Sequence, residues 1–241
     1  MNPNSATYWL PKLQEDTMLS SHVPRSTLVP YDHVSVICAM EGGGEYAGWD
    51  SVVQAVKDAA REIGWPVFIR SCLASAKHDG PNSYRADQPA DIPRVLSHTA
   101  EDNELKFMFQ SGPEAFVVRE YLDLEAPFVA FHGLPVSREW RFFASTAEIL
   151  CAHPYWPEEA IKFYPKSVEP DNWRPLLAEL HEHPKREEWI ALETMAIKAA
   201  GLCDTAPSWS VDFAKDTSGK WWLIDMAIMG QSWHWPNCKN A

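Results

Sequence analysis

The sequence predicts an α+β fold, and three features carry the prediction. The chain closes on an apolar hairpin broken by two carboxylates. Its middle is dense with short strands, and two amphipathic helices stand between these parts. A chain of 241 residues has room for one large domain or two small lobes sharing a cleft. Its 46% apolar content and 12 Trp describe a filled globular core.

Charge and cysteine usage narrow the function classes. A net charge of −12 argues against a nucleic-acid phosphate backbone as the main partner. Five cysteines (Cys38, Cys72, Cys151, Cys203, Cys238) are scattered with no CxxC spacing. That spacing points to neither a zinc site nor a disulfide framework, and they read as reduced thiols. The N-terminal stretch has no basic segment followed by an apolar run, and no stretch reaches membrane-span length. The expectation is a soluble cytoplasmic protein.

Residues 1–33 are punctuated by Pro3, Pro11, Pro24 and Pro30 and are expected to be irregular. Val34 to Met40 (VSVICAM) reads as a short strand. A glycine run, Gly42 to Gly44, then leads into a helix over Asp50 to Ile63, where Val52, Val53, Val56, Ala59, Ala60 and Ile63 form the apolar stripe and Gly64 the stop. The glycines offer backbone N–H groups to phosphate or make a simple turn. They lack the Lys-Ser/Thr of a P-loop.

Trp65 to Arg70 is a compact strand ending on a cation, followed by a polar loop with Ser75, Lys77 and His78. Such a loop grips a polyphosphate, or is a solvated surface loop. Residues 88–111 read as a helical connector. Four strands follow, Ala115–Leu124, Pro127–Gly133, Ser137–Ser145 and Ala147–His153, close enough for an antiparallel meander. In Ser137–Ser145, two-residue periodicity sends Arg138 and Trp140 to one face and Glu139 and Arg141 to the other. A structural reading pairs Glu139 with Arg141 or with Arg119. The helices are expected over Trp173–Glu182 and Arg186–Ala200.

The closing hairpin, Trp209 to Ala227, turns at Lys215–Lys220. Antiparallel pairing brings Asp212 near Asp225, and two carboxylates in apolar strands either share a divalent cation or cap strand ends in water. His153 and His234 are either substrate contacts or structural. Tyr155 and Trp156 are an aromatic patch placed near an acceptor cleft.

Taken together, these segments resemble the ATP-grasp superfamily over roughly residues 65–235. The match lies in VFIR at Arg70, the SAKH loop with Lys77, REYL at Arg119–Leu122, REWRFF with Arg138, Glu139 and Arg141, and the strands WSVDF and LIDMA. Arginine at the strand position where most relatives carry lysine resembles the clade of small phage-type members and relatives of a eukaryotic cell-division-cycle assembly factor. The resemblance implies two α+β lobes whose antiparallel sheets grip a nucleotide. It divides the chain into an N-terminal segment, 1–64, and an ATP-grasp domain, 65–241, with lobes at about 65–115 and 116–241.

It also implies ATP and Mg2+ as cofactors and ligation of a carboxylate to an amine, small molecule or peptide, through an acyl phosphate. By that resemblance Arg70, Lys77, Arg138 and Arg141 are catalytic. Arg70, Lys77, Arg119, Glu120, Tyr121, Leu122 and Glu139 bind the nucleotide, with the hinge backbone at Tyr121 and Leu122 reading adenine. Asp212 and Asp225 hold the metal. Ala227 departs from the pattern, because the family carries a metal-binding asparagine there. The same resemblance admits an ATP-binding assembly protein with a protein partner, or a kinase-like phosphotransferase.

Overall fold

The computed structural model describes residues 2–42, 48–75, 77, 80–107, 112–163 and 168–240, without the side chains of 38–42 and 104–107. The chain divides into two compact units, one over Arg25–Tyr121 and one formed by Met1–Pro24 together with Leu122–Ala241.

The Arg25–Tyr121 unit contains β1 (Ser26–Pro30), α2 (His33–Gly42), α3 (Trp49–Ile63), β2 (Val67–Ser71), β3 (Arg85–Ala86), α4 (Ile92–Phe107) and β4 (Ala115–Glu120). Its antiparallel sheet has the order β1-β4-β2-β3. Val67, Ile69, Phe116 and Val118 point to one face and share a core with Val53, Val56 and Ala60 of α3 and Val95 and Leu96 of α4. Two-residue alternation therefore sends Phe68, Arg70, Val117 and Arg119 to the other face.

Two expectations change here. Val34–Met40 is helical, not a strand. Asp32 starts the turn, since Val36 N–H donates to its carbonyl at 3.1 Å and Ser35 bonds its carboxylate. That cap, with Val36 and Ile37 entering the core, outweighs the β-propensity of the run. The boundary expected near 115–116 falls at Tyr121–Leu122, and residues 25–64 are integral to the first unit. The reason is that β4 bonds to β1 on one side and β2 on the other. Gly43, Gly44 and His78 lie outside the described residues.

The other unit opens with α1 (Ala6–Glu15), where irregular chain is expected. Ser5 caps it by accepting from Thr7 N–H at 3.3 Å, and Ala6, Trp9, Leu10 and Leu13 make a buried stripe that tolerates Pro11. Next come β5 (Phe128–Ala130), β6 (Leu134–Val136), β7 (Glu139–Ser145), β8 (Ile149–Pro154), α5 (Glu158–Lys162), α6 (Trp173–Leu180), α7 (Arg186–Leu202), β9 (Ser208–Lys215) and β10 (Trp221–Ile228). The expected meander is split. β4 belongs to the first unit, β5 pairs with β6, and the main sheet has the order β10-β9-β7-β8. One face of that sheet carries Trp140, Phe142, Val211 and Phe213. Trp189 of α7 lies edge-on to Trp140 at 5.2 Å and tilted on Phe142 at 4.8 Å. No helix among the described residues is long and apolar enough to cross a membrane.

The hairpin turn rests on Asp216. Its carboxylate accepts from the N–H groups of Ser218 and Lys220, both at 2.9 Å, and from the Trp222 indole at 2.7 Å. Gly219 supplies the positive φ of 91° that closes the turn. Partial burial alone would raise the Asp216 carboxyl, but these donors outweigh it and hold it below its ordinary value. The stability this contributes is therefore present above the unfolded value and lost as pH falls through the lower folded one. Asp216→Ala is expected to destabilise the chain by about 1–2 kcal/mol and to flatten the acid arm of the stability–pH curve. Urea unfolding at pH 7 and at pH 3 checks both.

Candidate functional site

The second unit places charge in a row across its sheet. Residues directly opposite on neighbouring antiparallel strands share a face. Arg141 of β7 faces Asp212 of β9, and Asp212 faces Asp225 of β10. Arg141 Nε and Nη2 each donate to one Asp212 carboxylate oxygen at 2.7 Å, a bidentate pair. The Asp212 side chain is 5% exposed and the Arg141 side chain 16%. Burial pulls the guanidinium towards neutrality, but Asp212, Tyr155 and Asp225 outweigh it and fix the charged form. The bland reading of Asp212 as a solvated strand end is thereby excluded.

Asp225 reaches this row through a register shift. Leu223 faces Phe213, yet Asp225 faces Asp212, so Ile224 is the extra residue of a bulge. Without it Ile224 would oppose Asp212 and Asp225 would turn to the helix-covered face. The Asp225 carboxylate accepts from Met226 N–H at 3.0 Å. Ala227, the position expected to carry asparagine, faces Ser210 on the same side, and its carbonyl accepts from the Ser210 hydroxyl at 3.3 Å.

Other sequence-predicted residues are sorted by the same geometry. Glu139 is 4% exposed and its carboxylate accepts from the Ser137 hydroxyl. Arg141 takes Asp212 as its partner rather than Glu139. Arg138 does not join the row. Its Nε donates to Glu125 at 3.0 Å, and its Nη1 reaches the Glu182 carbonyl at 3.4 Å, so it ties the approach to β7 to the segment before α7. The aromatic patch also divides. The Tyr155 ring lies 4.7 Å from the Arg141 guanidinium, while Trp156 is buried against Phe131.

In the first unit, Arg70 and Arg119 lie on the sheet face opposite α3 and α4, at 6% and 5% exposure. Arg70 Nε donates to the Ser71 carbonyl at 3.1 Å and Arg119 Nε to Ser26 Oγ at 3.3 Å. Ser71 also shapes the chain towards Lys77, accepting from Leu73 and Ala74 N–H groups while bonded to Asn103 Oδ1 at 2.7 Å. Lys77 is half-buried, and its N–H donates to Ser75 Oγ at 3.3 Å. Glu120 is placed differently from its expected nucleotide role. Arg25 occupies both its oxygens, through its N–H at 2.8 Å and its Nε at 3.0 Å. Tyr121 carries the Arg85 guanidinium 4.5 Å from its ring, and the chain passes into the other unit at Leu122.

Sequence reasoning missed one cluster altogether. Cys151, His153, His234 and Cys238 each offer a ligand atom, and these atoms all lie within 4.8 Å of one another. The spacing rule failed because its pairs are separated in sequence, Cys151 and His234 being 83 positions apart. The only cue was that Cys151 and His153 alternate on one strand.

Comparison with known proteins agrees with the fold. The model of an ATP-grasp domain family, the third of its clade, matches residues 47–240. C-terminally truncated Cdc123 from Schizosaccharomyces pombe superposes with a TM-score of 0.57 at 14% identity, covering 94% of this chain and 83% of that one. Cdc123 from the same organism gives 0.53 at 14% identity, with 93% and 82% covered. The ATP-grasp ligase PsnB complexed with minimal precursor gives 0.47 at 12% identity, covering 93% of this chain and 52% of that one. No curated protein sequence matches the chain.

Removing one member of the central pair leaves a buried charge without its partner. Arg141→Ala is expected to cost about 3 kcal/mol of folding stability, and Arg141→Lys less, because a lysine keeps the charge but loses the fork. Equilibrium unfolding of the two variants against the parent chain measures the difference.

Proposed function

Because the chain belongs to this ATP-grasp domain family, within a superfamily of ATP-dependent ligases, we propose that it joins a carboxylate to an amine or other nucleophile through an acyl phosphate. The observation that carries this reading is the Arg141–Asp212–Asp225 row on one sheet face. A structural role alone gives no reason for a bulge that turns a second carboxylate towards the first.

The reaction asks little covalent help of the protein. A carboxylate oxygen of the acid attacks the γ-phosphorus of ATP, and the bond from that phosphorus to the β–γ bridging oxygen breaks, releasing ADP. The nucleophile then attacks the acyl carbon, phosphate departs with the C–O electron pair, and the amine proton passes to water. Arg70 and Lys77 are assigned to the phosphate oxygens, with Arg119 beside Arg70 on the same face. Arg141, a planar fork, is assigned to the acyl phosphate. Arg138 and Glu120 are given supporting roles, since Glu125 and Arg25 hold them.

The donor set fits magnesium in kind, as two carboxylates offer hard oxygens. Both Asp212 oxygens already accept from Arg141, so Asp225 would be the leading protein ligand, with water and phosphate oxygens completing the shell. Magnesium, when bound, would neutralise phosphate charge. The alternative reading, an ATP-binding assembly protein, draws support from this engaged Asp212 and from Ala227, which has no side-chain donor to a second ion.

Calorimetry is expected to show ATP binding that needs Mg2+, weakened at least about tenfold, or ~1.4 kcal/mol, by Asp225→Ala. Lys77→Ala is expected to lower turnover by about 100-fold. Failure of the unmodified chain to bind ATP overturns the reading. In a panel of acids and amines, ADP release that requires the amine supports ligation. ADP release without it, with a phosphorylated product, assigns a phosphotransferase. Binding with no ADP release favours the assembly protein.

A further inference from the structure

The geometry points to a zinc site built by Cys151, His153, His234 and Cys238, which clamps the C-terminal tail to the edge of the main sheet. β8 is an edge strand, and Cys151 and His153 project from the same face of it, opposite Phe143 and Arg141 of β7. After β10 the chain turns through Met229–Gln231 and runs back over this face. The tail is placed there by three contacts. The His234 ring stacks on Phe143 with centroids 3.7 Å apart. Trp235 Nε1 donates to the Pro154 carbonyl, and Asn240 Nδ2 to the Leu150 carbonyl, both at 2.8 Å. His234 and Cys238 thus meet the two ligands offered by β8.

The dimensions and the chemistry agree with zinc. Tetrahedral zinc at about 2.3 Å from sulfur and about 2.0 Å from nitrogen sets its ligand atoms roughly 3.3–3.8 Å apart. The four ligand atoms here lie within 4.8 Å of one another, and Cys151 Sγ is 3.8 Å from His234 Nδ1. Two thiolates and two imidazoles are borderline-soft donors that select zinc over magnesium, so this site is chemically separate from the carboxylate row.

A second observation comes from His153. Its Nε2 is buried with no hydrogen-bond partner among the described residues, a cost that a metal ligand would not carry. Without a metal, burial and the Cys238 neighbour push the Cys151 thiol up to about 11, so its sulfur is held protonated. Burial, His234 and Arg141 in turn lower His153, which keeps that ring neutral and ready to coordinate. Zinc binding displaces one proton from each thiol and leaves both imidazoles neutral, so two protons are released per ion.

The test uses the full chain grown with added zinc and dialysed into metal-free buffer. Elemental analysis is expected to give about one zinc per chain, lost in Cys151→Ala and Cys238→Ala and kept in Asp225→Ala. Cobalt(II) added to the stripped parent chain is expected to show the visible absorption of tetrahedral thiolate-bound cobalt, a readout that needs no variant to fold. The inference is overturned if the stripped parent chain gives no such cobalt spectrum. Zinc content unchanged in the double cysteine variant overturns it as well. So does a Cys151–Cys238 disulfide in the freshly purified chain, seen as the loss of two hydrogens in the intact mass.

Discussion

The bidentate Arg141–Asp212 contact is the constraint to which the larger sheet answers. Two charges 2.7 Å apart with little solvent contact are tolerable only if both are satisfied. That requires β7 and β9 to pair in one register, because a slip of one residue would send either charge to the face covered by Trp189. The apolar face pulls the same way, since Trp140, Phe142, Val211 and Phe213 fill it only in that register. Ionic and apolar demands therefore select one pairing, and the bulge at Ile224 adds the second carboxylate without disturbing it.

What the amino-acid pattern disclosed follows from what periodicity can carry. Arg141, Asp212 and Asp225 stood out because charge inside an apolar strand needs a reason, and the hairpin turn signalled which strands meet. The bulge was invisible, since Trp221, Trp222, Leu223, Ile224 and Met226 are all apolar and show no alternation to break. Prolines misled at the N-terminus, where a Ser5 cap and the stripe from Ala6 to Leu13 outweigh Pro11. Val34–Met40 misled in the opposite sense, because β-branched residues read as strand while the cap at Asp32 was overlooked.

Side-chain allocation was the least legible layer. Arg138 and Arg141 look equivalent in REWRFF, yet one holds Glu125 and the other Asp212. Glu120 sits in REYL as a nucleotide contact would, and Arg25 takes its carboxylate from 95 positions away. The four cysteine and histidine ligands obey no local spacing because an edge strand and a tail supply two each. Partners chosen across long sequence separations depend on chain topology, which no window of residues encodes.

The division of the chain has a temporal side. The Arg25–Tyr121 unit is one continuous segment, whereas α1 belongs with strands made from residue 122 onward. Tyr8 stacks on Trp209 with centroids 6.1 Å apart, and Lys12 reaches the Leu202 carbonyl at 3.1 Å. On the ribosome the first helix therefore emerges earliest and docks last. Its apolar stripe of Ala6, Trp9, Leu10 and Leu13 must stay in solution while nearly two hundred residues are translated, so nascent-chain chaperones meet this segment before its own fold does.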